Sequence, residues 1–580
     1  MINEIKWAEP IRNKILECAN EIGVETYFVG GIVRDSIIGR PNYDMDICVV
    51  GHPSSDVARR LISGLPSNTR KMIEGDLRRS SMNEDLEKFL STSGGAIALA
   101  ISILIRHGGE NIETHASFLT SSITIDGMVV EFTGARKEIY DSKSRNPISV
   151  TPTDLKTDVL RRDFTMNSLY VALSNWEMVD PTGVGVLDIE RKILRSVRSK
   201  KVVFTEDPLR ILRAIRFASD LRFDIERNTM RMIKKAMTDD VIKLLSSESM
   251  KPVIREEISK MFTGKNPRKA IRMMLSTGLI KILFPEVQKM KDMDDIGHKN
   301  VWEHTLTVVG NASHVPDDVI AACEEIGEDV LPLTRLRVIL SALFHDTGKP
   351  LTRRYKFSRC EKCNAKTRPL KNPSKVCKCG NLMNFSDITF SGHQIVSGDL
   401  ASKALTRLGF GKQMIEWVSE DCLLHRLDTS FLEDGEIVVP EENDDRHIPS
   451  RRIPIERLIH KFSSSKGRYD PKWANVNELV RWHILASDTS SKNKVIVDLV
   501  AYFRGKAAEI QMLRKKESEA IRENKPLISG DELQIIFGLG PGKWIGEIHR
   551  RMKQDRLENP EAHDRDRAME IAKIVMNETK

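Results

Sequence analysis

Residues 27–46 read YFVGGIVRDSIIGRPNYDMD, and this stretch decides the fold. Tyr27 to Val29 is a short run of β-forming residues, broken by Gly30 and Gly31. Ile32 to Ile38 then has helical spacing. A Gly-rich turn between strand and helix lets backbone N–H groups approach a phosphate closely. Arg34, four residues after the first Gly, would add a fixed charge for a triphosphate. Asp44 and Asp46 open a second β-type run, DMDICVV. Side chains alternate along a strand, so both carboxylates should point to one face. Two carboxylates on one face, beside a phosphate cradle, suit divalent metals and in-line phosphoryl or nucleotidyl transfer.

The chain has 580 residues, more than one core holds, so roughly two to four domains are expected. Hydrophobic residues make up 40% and charged residues 30%, an ordinary soluble globular mix. The net charge of +8 permits a polyanionic partner without requiring one. No apolar run approaches the roughly 20 residues that span a bilayer. The longest, Ala96 to Ile105, fits a buried helix or strand. The N-terminus, MINEIKWAEP, lacks a basic-then-apolar leader pattern, so the expected compartment is the cytoplasm. There the eight cysteines stay reduced unless they bind metal.

The patterning predicts an α+β chain. A head over 1–195 mixes helices with strands at 26–29, 45–50, 122–125 and 128–133. A long all-α portion follows, divided into a neck over 196–270, a body over 271–500 and a tail over 501–580. Residues 65–112 read as a mostly helical insertion in the head. Residues 357–386 read as a second insertion, rich in Cys, Lys and Asn, and 436–453 as an exposed loop.

The Gly-Gly turn, Arg34 and the Asp pair together resemble the start of the nucleotidyltransferase head shared by CCA-adding enzymes (tRNA nucleotidyltransferases) and bacterial poly(A) polymerases. That resemblance implies a mixed-sheet head in which Asp44 and Asp46 are catalytic and hold Mg²⁺. It places Gly30, Gly31 and Arg34 against the nucleotide. In VVEFTGARKEIY (129–140), Glu131 would add a third carboxylate to the same sheet face. DVLRRDFTMNSLY (158–170) resembles the family's RRDFTxNA signature, which implies that Arg162, Asp163 and Asn167 read ribose and phosphates. In FTEDPLRILRAIRFAS (204–219), Asp207 suits a helix N-cap and Pro208 the first helical position. Arg210, Arg213 and Arg216 follow at three-residue spacing on one side of the helix. This resembles the family's EDxxRxxR element. It implies that Asp207 and Arg210 read the Watson–Crick edge of the incoming base, with Arg213 and Arg216 nearby. Cytosine and adenine both present an amine beside a ring acceptor, so one Asp–Arg pair accepts either without a template.

Further motifs lie in the helical body. His304 in WEHTLTVV, His345-Asp346 in LFHDTGKP and Asp488 in HILASDTS resemble the HD phosphohydrolase domain. His393 and His425 are nearby candidates. The resemblance implies one or two divalent ions and phosphoester hydrolysis, although the usual DxxG around the last Asp is here DTSS. Cys360-x₂-Cys363 and Cys377-x-Cys379, thirteen residues apart, fit a tetrahedral structural zinc site. The tail over 528–562 resembles that of HD-bearing CCA-adding enzymes, and Lys543, Arg550 and Arg551 would meet tRNA phosphates.

The leading expectation is CCA addition to tRNA from CTP and ATP. A poly(A) polymerase, or an enzyme adding only C or only A, has the same head. A phosphohydrolase with an RNA-binding head, or a zinc-bearing RNA-binding module without catalysis, belongs to another class. The 85 residues from Asp46 to Glu131 exceed what the family needs.

Overall fold

A computed structural model describes residues 3–80, 84–140, 147–200, 202–293, 300–357, 359–364, 371, 375–383, 385–425, 432–433, 436–439, 451–453, 528–558 and 565–578. Between 476 and 487 it describes Val476, Leu479, Val480, Arg481, His483, Ile484 and Ser487. The chain divides into two compact units, one of residues 1–428 with 465–490, the other of 429–464 with 491–580.

The first unit is built on a seven-stranded mixed sheet. Its strands are β1 (Glu25–Val29), β2 (Met45–Val50), β3 (Glu110–His115), β4 (Thr120–Ile125) and β5 (Met128–Gly134). After a hairpin of β6 (Arg136–Ile139) and β7 (Ser149–Pro152) come β8 (Tyr170–Ala172) and β9 (Met178–Val179). The order is β3-β4-β5-β2-β1-β8-β9. The β2–β5 pair is parallel and every other neighbouring pair antiparallel. All four strands expected from patterning lie in this sheet.

Six helices flank it: α1 (Glu9–Ile22), α2 (Gly31–Ile38), α3 (Ser55–Gly64), α4 (Ser67–Arg79), α5 (Leu86–Thr92) and α6 (Gly95–His107). The segment 65–112 is mostly helical, as expected. In α6, GAIALAISILIRH, every residue from Gly95 to Ile103 is buried. A helix with no polar face belongs inside, and α6 packs against α1, β4 and β5 as core. Residues 110–112 already belong to the edge strand β3. Asp76 ties α4 down by accepting from the Thr114 hydroxyl at 3.1 Å and the Ala116 N–H at 2.8 Å.

Beyond the head, helices Leu209–Asp220, Lys251–Thr263, Pro267–Thr277, Val301–Ala312, Val330–Phe344, His393–Arg407 and Lys412–Leu424 share one continuous apolar core with it. A hairpin of Arg354–Phe357 with Phe385–Thr389 interrupts them. Within it Lys375–Val376 pairs with Leu382–Met383. It holds its own small cluster of Tyr355, Phe357, Cys360, Cys377 and Met383.

In the second unit, helices Gly530–Phe537, Lys543–Glu558 and Arg565–Glu578 enclose Ile528, Leu533, Ile548, Met552, Ile571 and Val575. Ser529 and Glu532 close a reciprocal capping box at the first of them. The expected loop at 436–453 contains strands instead. Leu432–Glu433, Glu436–Val439 and Arg451–Ile453 form an antiparallel sheet, favoured by β-branched Ile437, Val438 and Val439. Among the described residues, no single helix is long and apolar enough to cross a membrane.

Candidate active site

Gly30 ends β1 with a φ of +78°, which a side-chain-bearing residue adopts only with strain. A Cβ there would sit 3.3 Å from Asp46 Oδ2, so the turn brings bare backbone against that carboxylate. Met45 and Ile47 are buried, and Asp46 between them faces a cleft. Asp46 pairs in register with Glu131 across the parallel β2–β5 ladder. Asp44 lies one residue before β2, so strand alternation does not place it. Its N–H instead donates to the Asn42 side-chain oxygen at 2.8 Å, an Asx turn that folds the chain toward the cleft. Asp44, Asp46 and Glu131 thus line one cavity of about 700 Å³ together with Gly30 and Gly31. Burial pushes the Asp46 carboxyl up to about 6, aided by the charges of Glu131 and Asp44 and opposed by Arg162 and Arg213. Three carboxylates lining one cavity, one of them resisting ionisation, offer oxygen donors of the kind that suits a hard divalent cation.

The cavity's other walls are cationic: Arg34, Arg161, Arg162, Arg210, Arg213, Arg216 and Lys260 line it. Most of these charges are held in fixed partnerships. Arg162 Nε donates to Asp158 Oδ2 and to the Tyr170 hydroxyl, both at 2.9 Å, and its guanidinium lies over the Tyr170 ring. Arg161 Nε donates to the other Asp158 oxygen at 2.8 Å. The two guanidinium charges hold the fully buried Asp158 carboxyl well below the usual range, against the cost of its burial. Asp163 accepts from Asn167 at 3.2 Å and from Arg213 Nε at 2.8 Å. Arg216 Nε donates to Glu257 at 2.7 Å. Arg34 lines the cleft with its charge fixed by Asp35, which binds it through both oxygens at 2.7 and 2.8 Å. A third donor reaches Asn167 Oδ1 at 2.8 Å, so Arg34 orients Asn167 and keeps two N–H groups beyond these bonds.

Asp207 and Arg210 also differ in detail from expectation. The helix starts at Leu209 behind Pro208, so Asp207 is not the N-cap residue itself. Its Oδ1 accepts from the Leu209 N–H at 3.1 Å, and the second oxygen is left for another donor. Arg210 donates to the Val203 and Arg161 carbonyls at 3.1 and 2.6 Å. These bonds use two of five donors and fix the fork along the cleft.

Sequence reasoning missed Asp158 and Asn42. The signals were present: Asp158 stands three and four residues before Arg161 and Arg162, and Asn42 stands two residues before Asp44. Asp158→Asn is expected to lower stability by about 3 kcal/mol, since two buried guanidiniums lose their shared counter-charge. It should also weaken nucleoside triphosphate binding at least about tenfold, by freeing Arg162. Thermal denaturation and equilibrium titration read the two effects separately.

A second cluster lies in the helical body. His345 Nδ1 meets the Ala342 carbonyl at 2.8 Å, His393 Nδ1 the Phe390 carbonyl at 2.8 Å, and His425 Nδ1 the Cys422 carbonyl at 2.6 Å. A carbonyl only accepts, so each Nδ1 carries a proton, and in the neutral imidazole each Nε2 is then the acceptor that can bind a metal. Those Nε2 atoms crowd together. His345 and His304 stand 3.4 Å apart, and His393 and His425 3.2 Å apart. Asp346 lies between the pairs, Oδ2 at 3.3 Å from His345 and 3.7 Å from His304, Oδ1 at 3.3 Å from His393 and 3.8 Å from His425. His393 and His425 are therefore full members of the cluster. Gly348 makes this possible, since a Cβ on it would lie 2.2 Å from the His393 carbonyl oxygen. Lys349 Nζ also meets Asp346 Oδ2 at 2.5 Å, and imidazoles grouped with a carboxylate in this way suit a first-row metal. Asp488 lies outside the described residues. Its neighbour Ser487 accepts from Asn311 at 3.2 Å, on the helix that carries His304.

Cys360, Cys363, Cys377 and Cys379 bring four sulfur atoms within 4.8 Å of one another. Cys360 and Cys379 are 3.5 Å apart, Cys363 and Cys377 3.4 Å. Backbone N–H groups of Cys363 and Lys362 pull the Cys360 thiol down to about 6. A thiolate donor set of this size suits tetrahedral zinc. In the tail, Lys543 is exposed at the start of its helix. Arg550 and Arg551 are paired with Glu547 at 2.7 and 3.3 Å, weak surface pairs that a phosphate can displace.

The chain matches the poly(A) polymerase head domain over residues 90–195. Residues 222–291 match the probable RNA- and SrmB-binding site of polymerase A. A tRNA nucleotidyltransferase (cca2) of Schizosaccharomyces pombe is 30% identical over 272 residues, 46% of this chain and 50% of that protein. An A-adding tRNA nucleotidyltransferase of Aquifex aeolicus is 30% identical over 223 residues, 38% of this chain and 21% of that protein. A CCA-adding enzyme of Pediococcus pentosaceus is 28% identical over 322 residues, 55% of this chain and 66% of that protein. The matches to the first of these relatives thus span about half of their length or less. Over these two segments the chain is similar to the head and RNA-binding domains of poly(A) polymerases, and over about half its length to tRNA nucleotidyltransferases and CCA-adding enzymes.

Proposed function

We propose that this protein adds C, C and A to the 3′ end of tRNA, without a template, from CTP and ATP with release of pyrophosphate. One observation carries the reading. Asp44, Asp46 and Glu131 open on the same cleft as Asp207 and Arg210. Mg²⁺ bound by the carboxylates would activate the 3′-hydroxyl and neutralise the triphosphate. Arg162, held by Asp158 and Tyr170, receives phosphate oxygens as a fixed fork. The free Asp207 oxygen accepts from the exocyclic amine of cytosine or adenine, and Arg210 donates to the ring nitrogen beside it. Guanine and uracil present the opposite pattern and leave both groups unpaired, a strong ground for rejection.

The test is tRNA lacking its 3′ end, incubated with each nucleotide in turn. Two C additions from CTP followed by one A from ATP are expected. Long A tails from ATP alone would overturn the proposal. Addition of A only, to tRNA already ending in CC, would select the narrower reading that the A-adding relative of Aquifex aeolicus supports.

The helical body supports a second activity, metal-dependent phosphoester hydrolysis. Its basis is the bridging position of Asp346 between two imidazole pairs. Asp346→Asn removes the shared charge and should abolish both metal binding and hydrolysis of a model phosphodiester while leaving nucleotide addition intact. Metal analysis of the purified variant against wild type decides it, and retained metal would refute the ligand assignment. The four cysteines are read as a structural zinc site.

A further inference from the structure

We propose that the cysteine-bearing hairpin inserted between His345-Asp346 and His393 is a docking surface for the phosphate backbone of RNA. This rests on the tRNA reading above and extends it to a surface outside the carboxylate cleft and the histidine cluster.

The charge distribution carries the inference. From Arg353 to Cys379 the sequence holds ten basic residues and one acid, Glu361. The whole chain holds 90 basic and 82 acidic residues, so the remainder has 80 and 81. The chain's entire positive excess thus sits in this one short segment. Four thiolates around a zinc ion would carry two negative charges and still leave the segment strongly positive.

The structure presents five of these cations outward. Lys356, Arg359, Lys362, Lys371 and Lys378 are exposed. The apolar residues turn inward as the cluster of Tyr355, Phe357, Cys360, Cys377 and Met383. The cysteine cluster fixes the chain around Arg359, Lys362 and Lys378, so these cations are arrayed on a rigid base. The paired strands at its foot join it to the His393 helix start, since Phe390, next to Thr389, accepts from His393.

The same surface argues against other polyanions. Val376 is the one exposed large apolar side chain from Arg353 to Thr389 among the described residues. A membrane surface or an acidic protein is held by apolar anchors as well as charge. A regular phosphate chain needs charge alone, and it is the polymer that the active cleft would already engage.

The experiment compares the full-length wild type with a variant carrying Arg359→Ser, Lys362→Ser, Lys371→Ser and Lys378→Ser. The dissociation constant for tRNA lacking its 3′ end is measured against salt concentration, with CTP affinity, zinc content and thermal midpoint as controls. The variant should bind tRNA at least tenfold more weakly. The slope of log affinity against log salt should be shallower by about 0.7–0.9 for each phosphate no longer neutralised. CTP affinity, zinc content and midpoint should stay at wild-type values. Cys363→Ser, which removes a zinc ligand, should lose zinc and tRNA affinity together. Unchanged tRNA affinity and slope in the four-residue variant would overturn the proposal. So would a defect confined to binding of phosphatidylserine vesicles. A wild type that binds tRNA through this segment but adds no nucleotide would refute the proposed reaction and leave the docking surface standing. Normal CCA addition with an unaltered slope would refute the surface alone.

Discussion

Asp46→Asn will abolish nucleotide addition and at the same time stabilise the metal-free protein at neutral pH. Both effects come from one cause. Asp46 is largely buried and stands beside Glu131 and Asp44, and these together raise its carboxyl to about 6 from an ordinary value of 3.8. Between those two pH values the folded chain holds a proton that the unfolded chain has released. Stability therefore falls as pH rises through that window, and the loss is complete above about pH 6. A shift of this size corresponds to roughly 1–3 kcal/mol, which the neutral amide of Asn recovers. The amide cannot replace a carboxylate as a ligand for a hard cation, so activity should drop by about a thousandfold or more. In the wild type, Mg²⁺ should raise the thermal midpoint at pH 7, and the midpoint of the variant should respond far less. Lowering the pH below about 6 should raise the Mg²⁺ concentration needed for half-maximal rate. A variant that is inactive but no more stable than the metal-free wild type would show that the three carboxylates do not repel one another.

The same arrangement shows what the sequence made legible. The run DMDICVV announces β2 because its alternation survives next to a Gly-Gly turn. Glu131 could be aligned with Asp46 because β5 has the same period. The partnership of Arg34 was not legible. Asp35 is its immediate neighbour, and adjacent residues on a helix do not ordinarily face each other. Only the long guanidinium stem, turned back over the helix start, brings them together. The unbroken apolar run Ala96 to Ile105 was legible as a buried helix or strand, and α6 is that buried helix. In the body, HDTGK made His345 and Asp346 recognisable. The equal standing of His393 and His425 was not readable, because they are brought in from 47 and 79 residues further along.

Asp421→Ala should be among the most destabilising single changes in the helical body, at about 3–5 kcal/mol. Asp421 and Arg337 are both essentially inaccessible to water, and they share a bidentate pair at 2.6 and 2.7 Å. The Ser341 hydroxyl adds a bond to Asp421 at 2.9 Å, Arg481 approaches at 3.5 Å, and the Arg337 guanidinium lies over the Trp417 ring. Removing the carboxylate strips the buried Arg337 of its bidentate counter-charge, while Arg481 keeps Glu420 at 2.6 Å, and Arg337 cannot lose its proton to relieve the cost. Replacing both partners at once, as Arg337→Met with Asp421→Leu, removes the charge together with its counter-charge. It should therefore recover much of the loss, which double-mutant denaturation measures directly. The pair also links the helix that leads into His345-Asp346 with the helix that leads into His425. Metal content should consequently fall in Asp421→Ala even at temperatures where the chain remains folded, whereas nucleotide addition in the head should persist. If metal content and midpoint were both unchanged, the buried pair would be dispensable to the geometry of the histidine cluster.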